Sequence, residues 1–97
     1  MVKRVVRTPF PAGRLLQDSI TLGKAVRAGR TEAGFTIEEA AMFLGLSKHT
    51  LSDLETGKPS VSLGTALKIC AAFGVSIFMA PTGERERVLR ALAKVSS

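Results

Sequence analysis

The stretch Thr36 to Lys58, TIEEAAMFLGLSKHTLSDLETGK, decides the fold, because it reads as two short helices joined by a tight turn. Thr36 is placed to cap the amide of Glu39 while the Glu39 carboxylate reaches back to the Thr36 amide, a capping box that starts the first helix. Gly45 stops that helix, since the residue just past a helix end commonly takes a positive φ that glycine adopts at no steric cost. Ser47 is a good cap for the second helix, and Gly57 closes it. Between the caps, Ala40, Ala41, Leu44, Leu46, Leu51 and Leu54 are spaced to meet in one apolar seam, and small Ala41 lets the helices cross closely. Lys48, His49, Ser52 and Asp53 are left on the outward face.

Upstream, Leu22, Ala25, Val26, Gly29 and Ala33 follow helical spacing from about Ser19 to Ala33, with Gly34 as a stop. Gly23 and Gly29 each cost about 1 kcal/mol there relative to alanine, so they mark either a close helix approach or a marginal helix. Downstream, Pro59 and Ser60 form a connection. Ser62 can then cap a helix holding Leu63, Ala66, Leu67, Ile69, Cys70 and Phe73, ended by Gly74. Its apolar face is wide enough for core burial and for a subunit contact. Residues 75–80, VSIFMA, are apolar, partly β-branched and followed by Pro81 and Gly83, so a strand is predicted. A lone strand needs a partner, and the candidates are Val2, Val5 and Val6 or the same strand of a second subunit. From Glu84 to Lys94 the pattern predicts an amphipathic helix with Val88, Leu89 and Leu92 on one face, extended by Val95.

Residues 1–18 carry Lys3, Arg4, Arg7 and Arg14 with no acid before Asp18, while Pro9, Pro11 and Gly13 forbid a continuous helix. This basic arm reads either as an electrostatic strap for nucleic acid or as a solvated tail. The expected organisation is an arm over residues 1–18, a helical domain over 19–74, and a strand with a tail helix over 75–97. The fold class is all-α: a compact bundle of about five helices, with a short C-terminal β-strand used in dimerisation.

The chain has 97 residues, 45% of them hydrophobic, which suits one small domain with a single core. Against 8 acidic residues stand 14 basic ones, a formal charge of +6 that favours a polyanionic partner or an acidic protein surface. The single cysteine, Cys70, lies in an apolar helical run and reads as a small buried hydrophobe rather than a reactive thiol. No apolar run is long enough to span a bilayer and no secretion-type stretch opens the chain, so a cytoplasmic protein away from membranes is expected. Paired carboxylates at sensible spacing, a Cys and His constellation and a glycine-rich phosphate loop are all lacking. The expectation is therefore of no enzyme, no cofactor and no metal centre.

Leu22-Gly23, Val26, Arg30, the Gly34-Phe35-Thr36 turn, Glu39-Ala40-Ala41, the Gly45-Leu46-Ser47 turn, Leu51-Ser52, Leu54-Glu55 and Gly57-Lys58 together resemble the Cro and lambda-type repressor family of helix-turn-helix domains. This is also called the XRE family, and the resemblance covers roughly residues 20 to 74. It implies a sequence-specific DNA-binding transcriptional regulator, an autoregulating repressor whose second motif helix enters the major groove. Carried over position by position, Lys48, His49, Ser52 and Asp53 are base-contacting; Lys48 can donate to guanine O6 and N7, and Asp53 can accept from cytosine N4. The backbone around Thr36 and Ile37, as a helix N-terminus, and the family positions Ser47, Thr56 and Lys58 are phosphate-contacting. Ile37 departs from the glutamine that many relatives carry, so the chain either forgoes that contact or leans on the basic arm. Arg30 and Glu55 match a structural ion pair that ties the first helix to the end of the recognition helix.

Because one such helix covers only a few base pairs, the resemblance further implies a homodimer on a palindromic operator, with recognition helices about 34 Å apart. Phe73, Val75, Ile77 and Met79 are the expected dimer interface. The strand after Gly74 and the motif GKPSVSLGTALKI look like the HipB-like antitoxin subgroup, which implies a toxin protein such as a HipA-like kinase as a further partner. A competing reading is a protein-interaction module that keeps the fold without specific DNA binding. Substituting Lys48, His49 and Lys58 separates the two.

Overall fold

The computed structural model describes residues 5–12 and 15–96, with side chains described up to residue 94. Its helices are α1 (Ser19–Glu32), α2 (Ile37–Leu44), α3 (Lys48–Glu55), α4 (Leu63–Ala72) and α5 (Arg85–Ser96), the last preceded by a 3₁₀ turn, Thr82–Glu84. The first four each start on a side-chain cap. Asp18 accepts from the Thr21 amide at 2.7 Å, which holds the Asp18 carboxyl below its ordinary range. Thr36 accepts from the Glu39 amide at 3.1 Å and the Glu39 carboxylate accepts from the Thr36 amide at 2.9 Å, the complete capping box. Ser47 accepts from Thr50 and Ser62 from Thr65 in the same way.

The helix ends are equally local. Gly45, at φ 69°, allows the Leu46 amide to donate back to Ala41 O at 2.9 Å and its own amide to reach Met42 O at 3.2 Å. The same pair of bonds closes α1 through Phe35 to Arg30, α3 through Lys58 to Asp53 and α4 through Val75 to Cys70. Each turns the following residue back over the last helical turn. Leu46 and Phe35 thereby reach the core edge, Val75 enters the core, and Lys58 is folded against α3.

The core joins Ala25 and Val26 of α1, Ala40 and Ala41 of α2, Leu51 and Leu54 of α3, and Ala66, Ile69 and Cys70 of α4, closed by Phe73 and Val75. Burial pushes the Cys70 thiol up, as desolvation disfavours the thiolate. A Cβ built on Gly23 would stand 2.5 Å from Leu54 O and 2.6 Å from Glu55 O, and one on Gly29 would stand 2.5 Å from Phe73 O. Both glycines therefore mark close backbone approach, and the one at Gly23 brings α1 directly onto the end of α3. Ser19 adds a tie there, donating its hydroxyl to Gly57 O at 2.6 Å.

The strand predicted over residues 75–80 does not form, and the described residues contain no strand. Residues 75–80 have no ladder partner among the described residues. Ile77 and Phe78 border a hollow with Phe10, Pro11, Leu16 and Leu22, so the segment packs through side chains. Pro9 and Pro11 have no amide hydrogen, which prevents the arm from offering a continuous ladder. Of the proposed valine partners, Val5 and Val6 lie instead beside Arg27 and Thr31 of α1, while Val2 lies outside the described residues.

The described part of the arm follows α1. The Thr8 amide donates to Thr31 Oγ1 at 3.0 Å, and Arg7 Nε lies 3.4 Å from Glu32 Oε2. Lys3, Arg4 and Arg14 lie outside the described residues. Phe73 and Val75, expected at a subunit interface, are enclosed in the chain's own core, because the bonded turn at Gly74 folds Val75 inward and Phe73 packs edge-on to Phe35. Ile77 and Met79 remain at the surface, Met79 almost fully exposed. The apolar side of α5 places Val88, Leu89 and Leu92 around a hollow shared with Leu15 and Phe78. No helix among the described residues is long and apolar enough to cross a membrane.

Candidate nucleic-acid interface

Helix α3 is held from behind and presented in front. Leu51 and Leu54 anchor it in the core, α1 and α2 both pack against it, and Lys48 and His49 are left exposed with Ser52 half-buried beside them. Its far end is locked by a buried ion pair. Arg30 Nε donates to Glu55 Oε2 at 2.6 Å and Arg30 Nη2 to Glu55 Oε1 at 2.9 Å, while Arg30 Nη1 donates to Phe35 O at 2.8 Å. The bidentate fork fixes both distance and orientation between α1 and α3, and the third bond fixes the turn into α2.

Arg27, one turn before Arg30 on α1, was absent from the sequence-derived site. Its Nε lies 3.8 Å from Glu55 Oε1 with the side chain largely exposed. It borders a depression with Arg30, Ile37, Ser52, Glu55 and Thr56. The signal in the sequence was its spacing of three from Arg30, which puts both guanidinium groups on one helix face. The depression thus brings together half-buried Ile37 at the start of α2 and exposed Thr56 at the end of α3.

Most of the polar side chains assigned from the sequence are engaged within the chain. Thr36 and Ser47 are helix caps, and the Thr56 hydroxyl donates to Ser52 O at 2.9 Å. Lys48 Nζ lies 2.7 Å from Glu38 Oε1 of α2, and bonding to Lys48 holds the Glu38 carboxyl below its ordinary range. Asp53 faces two partners: its Oδ2 lies 3.2 Å from His49 Nε2 and its Oδ1 lies 3.3 Å from Lys58 Nζ. Its side chain is only 14% exposed. Among the described residues no cluster of His, Cys, Asp and Glu has the makings of a metal site.

A family model described as helix-turn-helix matches residues 26–78. A relative from Sinorhizobium fredii, described as an uncharacterized HTH-type transcriptional regulator, y4mF, is 33% identical over 66 residues, which cover 68% of this chain and 87% of the relative. No solved structure gives a significant match to the chain. The matched span runs from the middle of α1 to the segment after α4 and contains the capped helices, the Gly45 turn and the exposed α3 face together. The chain belongs to the XRE-type helix-turn-helix family of DNA-binding transcription regulators.

Proposed function

We propose that this protein is an autoregulating repressor that binds a palindromic operator as a homodimer. The observation that carries the reading is the outward face of α3, where Lys48 and His49 stand exposed on a helix locked from behind by Leu51, Leu54 and the Arg30 fork. A helix so presented fits the major groove, with Lys48, His49, Ser52 and Asp53 on the side turned toward base edges. Lys48 exchanges Glu38 for guanine O6 and N7 on docking, so its contact is made at the expense of an existing exposed pair. The backbone amide of Ile37 at the start of α2 attracts phosphate, the Thr36 amide being bonded to Glu39, and is joined by Ser47, Thr56, Lys58 and the flanking Arg27.

The test is binding to DNA from the protein's own promoter region, titrated against salt with random DNA as competitor. Affinity exceeding that for random DNA by roughly a thousandfold supports the reading; equal affinity removes it. Within that experiment, Lys58→Ala is expected to weaken all sequences alike and to lower the salt slope by about 1. An unchanged slope takes Lys58 off the phosphate.

Dimerisation falls to the exposed apolar end of the molecule, where Phe78 and Met79 join the partly exposed Ile77. Because Met79 is 94% exposed, Met79→Asp leaves the chain's own packing intact. It is expected to convert dimer to monomer in sedimentation; a persistent dimer places the interface elsewhere. An antitoxin role with a HipA-like kinase as partner keeps the support of the Gly57 to Ile69 motif alone, since the strand that also suggested it does not form. The interaction-module reading draws on Met42 and Phe43 of α2, exposed at 82% and 67%, and it predicts binding no better than to random DNA.

A further inference from the structure

We propose that Asp53 is a positioning residue that sets what His49 reads: it holds the imidazole with Nε2–H turned toward the carboxylate, leaving Nδ1 to accept from the amino group of adenine or cytosine in the major groove. This rests on the operator-binding reading above. The geometry is an i, i+4 pair on α3, with Nε2 of exposed His49 at 3.2 Å from Oδ2 of a carboxylate that is itself largely enclosed. An ionised carboxylate only accepts, so the ring nitrogen facing it must be the one that carries the hydrogen. In the neutral ring the other nitrogen then has a lone pair and no hydrogen.

The remaining charges fit this arrangement. Lys58, from the turn after α3, faces the second oxygen of Asp53 at 3.3 Å, and its backbone amide donates to Asp53 O at 2.9 Å. The carboxylate is thus partly neutralised and fixed before it nears phosphates. Lys48 beside His49 is turned to Glu38 of α2 and does not compete for Asp53. With its side chain largely enclosed and one oxygen toward His49 and the other toward Lys58, Asp53 acts on base choice through His49.

The chemical consequence is a choice between bases. In the major groove adenine offers its N6 amino hydrogens and cytosine its N4 amino hydrogens, whereas guanine and thymine offer acceptors at the corresponding edge atoms. An imidazole fixed as an acceptor favours the first pair and rejects the second. Freed from Asp53, the same ring exchanges tautomers and accommodates either.

The experiment selects preferred duplexes from a random library at about pH 8, where free imidazole is neutral, and then measures binding to every base at each selected position. The proteins are wild type, Asp53→Ala, Asp53→Asn, His49→Ala and the Asp53→Ala/His49→Ala double variant. Wild type is expected to favour adenine or cytosine by about tenfold at the one half-site position that His49→Ala relaxes. Asp53→Ala is expected to relax that same position, and Asp53→Asn, whose amide oxygen still accepts from Nε2–H, to restore it. In the His49→Ala background, Asp53→Ala should change nothing further there. A further change in that background, or a wild-type preference for guanine or thymine at that position, overturns the inference and leaves the repressor reading standing. A wild type that selects no sequence at all overturns both.

Discussion

Replacing Arg30 with alanine is expected to destabilise the protein by about 3 kcal/mol, at the lower end of the range for breaking one side of a buried ion pair. Arg30 is 7% exposed and Glu55 9% exposed, so the substitution leaves a carboxylate facing the interior without its two-pronged partner. It also strips Phe35 O of a donor where α1 turns into α2. The lower end applies because Arg27 is already 3.8 Å from Glu55 and its exposed side chain is free to swing closer. A domain of this size has a total stability of about 5–15 kcal/mol, so the variant sits near the margin. Urea unfolding followed by circular dichroism measures the loss. The double variant Arg30→Met/Glu55→Met, which removes both charges, should recover most of it. A double variant as unstable as Arg30→Ala would place the cost in lost packing and not in the stranded carboxylate.

Gly23→Val should cost a similar amount, about 3 kcal/mol, by overfilling a contact made of backbone. The added Cβ meets Leu54 O and Glu55 O, atoms of α3 that no side-chain rotation can clear. The helices must separate, and α1 against α3 is the contact that orients α3. Gly23→Ala suffers the same collision but regains about 1 kcal/mol of helix propensity, so its net cost is smaller, about 1–2 kcal/mol. Gly64 of α4 is the control, because nothing lies within 4 Å of where its Cβ would stand. Gly64→Ala should be neutral or stabilise by a few tenths of a kcal/mol, roughly the propensity gain near a helix start. Thermal unfolding of the three variants gives the comparison. A stabilising Gly23→Ala would mean that α1 does not approach α3 this closely.

The parts of the fold legible in the sequence are those specified within a few residues. Thr36 with Glu39, Ser47 and Ser62 start their helices, and Gly34, Gly45, Gly57 and Gly74 take positive φ just past helix ends. Arg30 and Glu55, 25 residues apart, were found only through resemblance, since nothing local links them. Arg27 escaped notice because its role comes from the depression it borders, which α2 and α3 complete. VSIFMA misled because β-branched composition reports local preference, whereas a strand exists only where another backbone supplies donors and acceptors.

By itself, then, the sequence determined the helix starts and stops, the apolar seam of Ala40, Ala41, Leu51 and Leu54, and the outward face of α3. Caps, glycine turns and helical periodicity act over one or two turns and need no distant partner. Only the tertiary structure decided that Gly23 and Gly29 are contact points, that Phe73 and Val75 close the core, and that residues 75–80 pack without a ladder. It also decided that Lys48 is turned to Glu38 and that Asp53 stands between His49 and Lys58. These outcomes depend on which surfaces and charges the helix crossings bring within a few ångströms of one another, a property of the assembled bundle and of no single segment.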